Sequence, residues 1–414
     1  MTTVELTETS HTGCPMHLRG SENTVPFDFY ADLRRTGPVV WDESMNGWLV
    51  TTLSACREVF RSDNTLFRHP DGDAGGDYAV MSPGLRPLKT LTGEPQRKLH
   101  NWMMKAFTPA ETSAMRDGLI RDVILAALEN VEGRTEIDLV ADFIDLIPVR
   151  VVAAVLDLPW RDKEFMDRAQ GNLALLAGFF NRRGAMTSDV SKSASQATEE
   201  LKAQLRPILE HRRDNPGADL ISKLWRDGPT ILDNWTIDDT FVNVNTVFLG
   251  GYDTTTMAIS NSFWFMLKRP EFKARFIAGD NDIQQRYVEE VLRLLPPIHY
   301  RARRANQDTE IAGVTIRKND LVFPLMGAAN RDEGIYDCPA DMSFERKNPR
   351  DHMTFISGPR NCVGSGLARV EVREALQLFL QKYPDVELDR TKPEPQYIGL
   401  TTRRFEPMFV RLVK

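Results

Sequence analysis

The chain has 414 residues, 42% hydrophobic and 27% charged. That is enough for a large buried core, and it excludes a disordered or collagen-like chain. Lys and Arg number 52 against 58 Asp and Glu, and the net charge of −6 argues against nucleic-acid binding.

Residues 1–20 are polar and aperiodic, so a loosely held tail is expected there. Met1 to Ser10 carries Glu5 and Glu8 and no basic stretch, which argues against a secretory signal. From 109 to 295 the pattern is mainly helical. Leu201, Leu205, Ile208 and Leu209 share one helical face after a start at Thr187-Ser188, and Pro207 predicts a kink or an end.

Thr236 to Lys268 is the most hydrophobic long segment, with Thr236 and Asp239 spaced as a capping pair. Gly250, Gly251, Asp253 and three threonines interrupt it, and propensity predicts a break. A second helix over 282–295 ends at Pro296-Pro297, and strand-like pieces such as Val314-Thr315-Ile316 follow between 301 and 324. The last strong helix begins after Gly366 and aligns Ala368, Val372, Ala375, Leu376 and Phe379. The tail from 385 to 412 alternates in places. Helices dominate, and nothing predicts the alternating units of a parallel nucleotide-binding sheet.

A membrane-spanning helix needs about 20 mostly apolar residues. The stretches Val151 to Leu156 and Ile259 to Leu267 are flanked by charges too soon for that. No anchor is predicted, and a cytoplasmic chain is expected.

Cysteines stand at 14, 56, 338 and 362, none in a CxxC pair, so an idle reduced thiol is the default for each. Cys362 departs from it. It lies in Phe355-Ile-Ser-Gly358-Pro-Arg360-Asn-Cys362-Val-Gly364, just before a helix. A helix N-terminus is expected to lower the thiol pKa and make a firm metal ligand. The glycines let backbone lie against a flat group, and Arg360 offers a fork suited to a carboxylate.

This loop resembles the haem-ligand segment of the cytochrome P450 family, Phe-x-x-Gly-x-Arg-x-Cys-x-Gly, with every defined position filled. Two more segments follow the family's order. Glu290-Val-Leu-Arg293 resembles its Glu-x-x-Arg pair, with Arg346 as the third member of a structural network; alone it would read as a surface ion pair. Gly250-Gly251-Tyr252-Asp253-Thr254 resembles the helix segment that passes over the haem. Without the resemblance it would read as a helix break.

The resemblance implies a mainly α fold: one triangular domain over 21–414 with a small β-rich lobe. It implies haem b held by Cys362 and Phe355, with Gly250 and Gly251 leaving room for dioxygen and substrate. Asp253 and Thr254 would be the proton-delivery pair. Arg360 and Arg303 would hold the haem propionates. The family's His-x-x-x-Arg reads Gln96 and His100 here, before Phe107-Thr108-Pro109, so on that side His100 would donate a hydrogen bond to a propionate and Gln96 a weaker neutral one.

Pocket candidates are Leu173, Leu175, Leu176, Phe179, Phe180, Val247, Leu295 and Ile298, which are also ordinary core residues. They favour a small apolar substrate: a terpenoid, steroid or aromatic. Arg182, Arg183, His69 and His299 would instead admit a carboxylate. Electrons are expected from an external ferredoxin and its reductase, docking on Arg97, Lys98, Lys105 and Arg369.

The expected activity is monooxygenation, the insertion of one oxygen atom from O2. A peroxide-driven enzyme of the same fold usually lacks the acid–alcohol pair, and a haem-binding sensor or carrier has no need of it. Zinc fits worst, for want of a second spaced ligand.

Overall fold

The computed structural model describes residues 25–70, 85–180 and 188–412. The 1–20 tail, Arg182 and Arg183 lie outside them. Among the described residues no helix is long and apolar enough to cross a membrane.

The central helix, Ile237–Leu267, is 31 residues long, or about 46 Å at 1.5 Å per residue. Its start is a capping box. Thr236 Oγ1 accepts from the Asp239 N–H at 3.3 Å, and Asp239 accepts from the Thr236 N–H at 2.8 Å. Arg86 forks onto the same carboxylate at 2.7 and 2.6 Å. Helices Ile147–Val155, Ser188–Asp214, Asn281–Leu294 and Ser365–Lys382 pack around it.

The predicted break at Gly250-Gly251 does not occur, and packing explains why. An added Cβ at Gly251 would stand 2.3 Å from Val152 Cγ2 of the neighbouring helix. The glycine lets two helices close up, and that contact offsets a helix-propensity cost of about 1 kcal/mol.

Pro207 likewise does not end its helix, which runs unbroken over Ser188–Asp214. Leu201, Leu205 and Leu209 stay in the core on both sides of the proline and pack toward Lys163–Phe180, so burial overrides the local cost.

The β structure is small. Strands Val39–Asp42, Gly47–Val50, Leu321–Pro324, Arg303–Ala305 and Phe67–Arg68 form one sheet in that order. Only Gly47–Val50 with Leu321–Pro324 is parallel. The hairpin Gln396–Ile398 with Arg404–Glu406 closes on the central helix. There Phe405 stacks on Trp264, Ser260 Oγ donates to Phe405 O at 2.6 Å, and Asn261 donates to Leu295 O and Arg403 O.

Helix Asn281–Leu294 buries a charge network at its C-terminal end. Glu290 and Arg293 have no exposed side-chain surface, and they pair bidentately at 2.8 and 3.0 Å. Arg346 adds a bond to Glu290 at 2.8 Å. The remaining Arg293 donors reach the carbonyls of Asn330, Pro339 and Asp341. A buried pair repays its desolvation only when its other donors and acceptors are satisfied, and here they are. The result fastens the chain over 330–346, which leads into the cysteine loop.

Candidate functional site

The cysteine loop is shaped by backbone geometry. Cys362 N–H donates to Phe355 O at 3.0 Å, and Asn361 N–H donates to Gly358 O at 3.1 Å. Gly358 has φ +78°, and an added Cβ would meet Phe60 O at 2.5 Å. Only glycine allows both that conformation and so close an approach to the end of helix Leu53–Arg61. Behind the loop, the Arg369 guanidinium lies 4.3 Å over the Phe355 ring.

The thiol pKa is not lowered, contrary to expectation. Shielding from water pushes it up, and the opposing Gly364 N–H and the charge of Arg369 do not cancel that. The free thiol is therefore neutral, and a metal must displace its proton.

The expected propionate donors are placed differently from one another. Arg360 has five N–H groups, and the protein takes all of them. Nε donates to Asp63 at 2.9 Å, Nη1 to the carbonyls of Leu88 and Lys89, and Nη2 to Asn64 Oδ1 and Leu91 O. It is a clamp between chain segments with no donor left for a carboxylate, which corrects the expectation. Gln96 donates to Pro359 O at 2.9 Å and accepts from Asn64, so its amide braces the loop. His100 Nε2 donates to Asn361 O at 2.8 Å, so it too braces the loop. Arg303 keeps donors. Its Nε binds Asp63 at 2.6 Å and its Nη1 binds Ala302 O, while Nη2 bonds to none of the described residues.

On the central helix, Thr246, Gly250 and Thr254 recur every four residues and so share a face. That face is partly open, although Phe248, Tyr252 and Asp253 beside it are buried. Thr254 Oγ1 donates to Gly250 O at 2.8 Å, and Thr246 Oγ1 to Val242 O at 2.7 Å. A Cβ added at Gly250, or at Gly364 beside Cys362, would meet no atom within 4 Å.

The donor set thus fits haem b: one thiol, bare backbone with room beside it, and a buried guanidinium whose Nη2 edge bonds to none of the described residues. Among the described residues no group of three or more His, Cys, Asp or Glu could hold a metal ion, so no zinc-type cluster surrounds Cys362.

Of the pocket candidates, Leu173, Leu176, Phe179 and Leu295 are buried in the main core. Val247 packs against the cluster of Leu88, Leu99, Met103, Ile231 and Leu232, and Ile298 against a second core. Leu175 faces solvent at 49% exposure, which removes it as a lining residue. Phe180 ends its helix, and its side chain lies outside the described residues. His299 is held between the hydroxyls of Tyr30 and Tyr397 at 3.0 and 2.8 Å, so it is no carboxylate anchor. His69 sits among Lys89, Arg303, Arg360 and Arg301; burial and then those charges hold its pKa well below the usual histidine range.

Arg97, Lys98 and Lys105 lie on the exposed face of helix Gly93–Ala106, with Lys98 paired to Glu94 at 3.1 Å. Arg369 is not part of that face. It forks onto Glu289 at 2.6 and 3.1 Å, a carboxylate that Arg350 and His352 also reach.

Asp63, Thr246 and Glu289 escaped the sequence reading. The partners of Asp63 and Glu289 are remote in the chain, and only the four-residue spacing of Thr246 from Gly250 was visible beforehand.

The family profile described as cytochrome P450 matches residues 164–278 and 282–408. The "Biotin biosynthesis cytochrome P450" of Bacillus subtilis is 28% identical over 366 residues, 88% of this chain and 90% of that protein. "Cytochrome P450(BM-1)" of Priestia megaterium is 27% identical over 391 residues, 91% of each chain. The structure of P450BioI in complex with hexadec-9Z-enoic acid ligated acyl carrier protein superposes with TM-score 0.84 at 25% identity, covering 95% of this chain and all of that one.

Burial alone would raise the Glu289 pKa, but the bonds from His352 and Arg369 take it from 4.5 to about 2. A depressed carboxylate stabilises the fold above its unfolded pKa, and that stability is lost as pH falls through the folded value. The shift corresponds to about 3 kcal/mol. Glu289→Gln should therefore be less stable than the parent at pH 7, with the gap closing between pH 4.5 and 2 in urea denaturation. A gap unchanged across that range would mean that the carboxylate's charge is irrelevant.

Proposed function

The chain belongs to the cytochrome P450 family of haem b monooxygenases, and on that premise we propose that Cys362 is the thiolate ligand and that the substrate is small and apolar. The observation that carries this reading is the cysteine loop. A single thiol, capped by the Gly364 N–H, stands on glycine-bared backbone beside open space.

Bound haem supplies dioxygen activation and transfer of one oxygen atom, with two electrons and two protons taking the other atom to water. The protein's part is to place protons and exclude bulk water. Thr254 Oγ1 is held on the Gly250 carbonyl and can turn from it to donate into the open face of the helix. Asp253, buried and next in the chain, is the acid that restores that proton. Cys362 would hold the iron as a thiolate, an anion that the Gly364 N–H and the charge of Arg369 would stabilise.

Electrons come from a ferredoxin and its reductase, received on the exposed Arg97, Lys98 and Lys105. The apolar substrate is supported by Val247 and the leucine-rich cluster beside it. A substrate with a carboxylate is the second reading, favoured by the cations Lys89 and Arg301 beside His69.

Replacing Cys362 with Ser should abolish the red-shifted absorption of the reduced carbon-monoxide complex; survival of that band would sink the ligand assignment. Thr254→Ala should divert a large share of consumed electrons to hydrogen peroxide, measured against product, and unchanged coupling would remove its role. Titrating the ferric protein with neutral terpenoids and steroids should move the Soret band to the blue. A response confined to aromatic or fatty acids would transfer the assignment to the carboxylate reading.

A further inference from the structure

We infer that Asp63 is a positioning residue that aims Arg303 at an anionic group of the cofactor and tunes the reduction potential of the iron. The inference rests on reading Cys362 as the ligand of haem. Asp63 lies just past the end of helix Leu53–Arg61 and has no exposed side-chain surface. Its two oxygens are divided between two guanidiniums: Oδ2 takes Arg303 Nε at 2.6 Å and Oδ1 takes Arg360 Nε at 2.9 Å.

The two arginines differ in what they can still do. Arg360 has spent all five donors on protein, so it brings charge and no further bond. Arg303 is fixed on three sides: Asp63 at Nε, the Ala302 carbonyl at Nη1, and the Phe60 ring 4.9 Å below its plane. What remains is the Nη2 edge, whose N–H groups bond to none of the described residues. A guanidinium that is only 4% exposed, and whose Nη2 edge bonds to none of the described residues, is suited to an anion. A carboxylate accepts from such an edge with charge-assisted bonds.

Charge arithmetic gives Asp63 its second role. Two guanidiniums share one carboxylate, so this node carries a net charge of +1. Neutralising Asp63 would raise it to +2 beside the cofactor. Extra positive charge favours the reduced iron, which carries one charge fewer, so the potential must rise.

The experiment is a redox titration of the purified holoprotein with dithionite, read from the Soret band. The carbon-monoxide spectrum of the parent is recorded first. A parent without the red-shifted band overturns the reading of Cys362, and this inference with it. Where the parent shows the band, Asp63→Asn should shift the midpoint potential upward, while Asp63→Glu, which keeps the charge, should stay near the parent. A merely structural carboxylate would lower the melting temperature in both variants and leave the potential in place. Coincident potentials for the parent and Asp63→Asn overturn the inference.

Should Asp63→Asn fail to take up haem, the comparison moves to Arg303→Gln and the double variant D63N/R303Q. The single variant should lie below the parent, and the double variant above the single. Equal potentials for those two overturn the inference as well.

Discussion

A charge taken out of water must find its opposite, and this chain meets that requirement three times around one cysteine. Glu290 gathers Arg293 and Arg346, Glu289 gathers Arg369, Arg350 and His352, and Asp63 gathers Arg303 and Arg360. Each node joins segments far apart in the chain. The first fastens the stretch that leads into the cysteine loop. The second grips the helix that follows the loop, through Arg369. The third ties the loop itself to the end of an early helix and to residues 88–91. The loop's apolar residues Phe355, Ile356 and Val363 pack against three different hydrophobic clusters, and the charges add fixed anchors to that packing.

The central helix adds the opposite wall. Its continuity through two adjacent glycines depends on close packing against Ile147–Val155, and its capping box is braced by Arg86. The threonines on its open face spend their hydroxyls on carbonyls one turn back. Such bonds hold the hydroxyls in place and loosen the local backbone, which suits the proton delivery proposed for Thr254.

What could be read in the sequence was whatever lies within about ten consecutive residues. The cysteine loop, the Glu290–Arg293 spacing, the Thr236–Asp239 cap and the late helix all depend on neighbours in the chain. The break at Gly250-Gly251 was misjudged, and of the two outcomes expected at Pro207 the helix end does not occur, because packing from other helices overrode local propensity. Arg360 was misjudged for a related reason. Its five acceptors come from residues 63–64 and 88–91, and no motif around Cys362 announces them. The thiol pKa went the other way because helix-terminus reasoning omits desolvation, which here is the larger effect.

The two glycines at 250 and 251 look like one feature and behave as two. Gly251 is a contact: a methyl there would strike Val152, so its smallness serves the fold. At Gly250 an added Cβ would meet no neighbouring element within 4 Å, and an alanine in its place would favour the helix by about 1 kcal/mol. The chain leaves that stability unclaimed and keeps the space. Gly250 can therefore take a methyl without disturbing the core, while its neighbour one step along the chain is fixed.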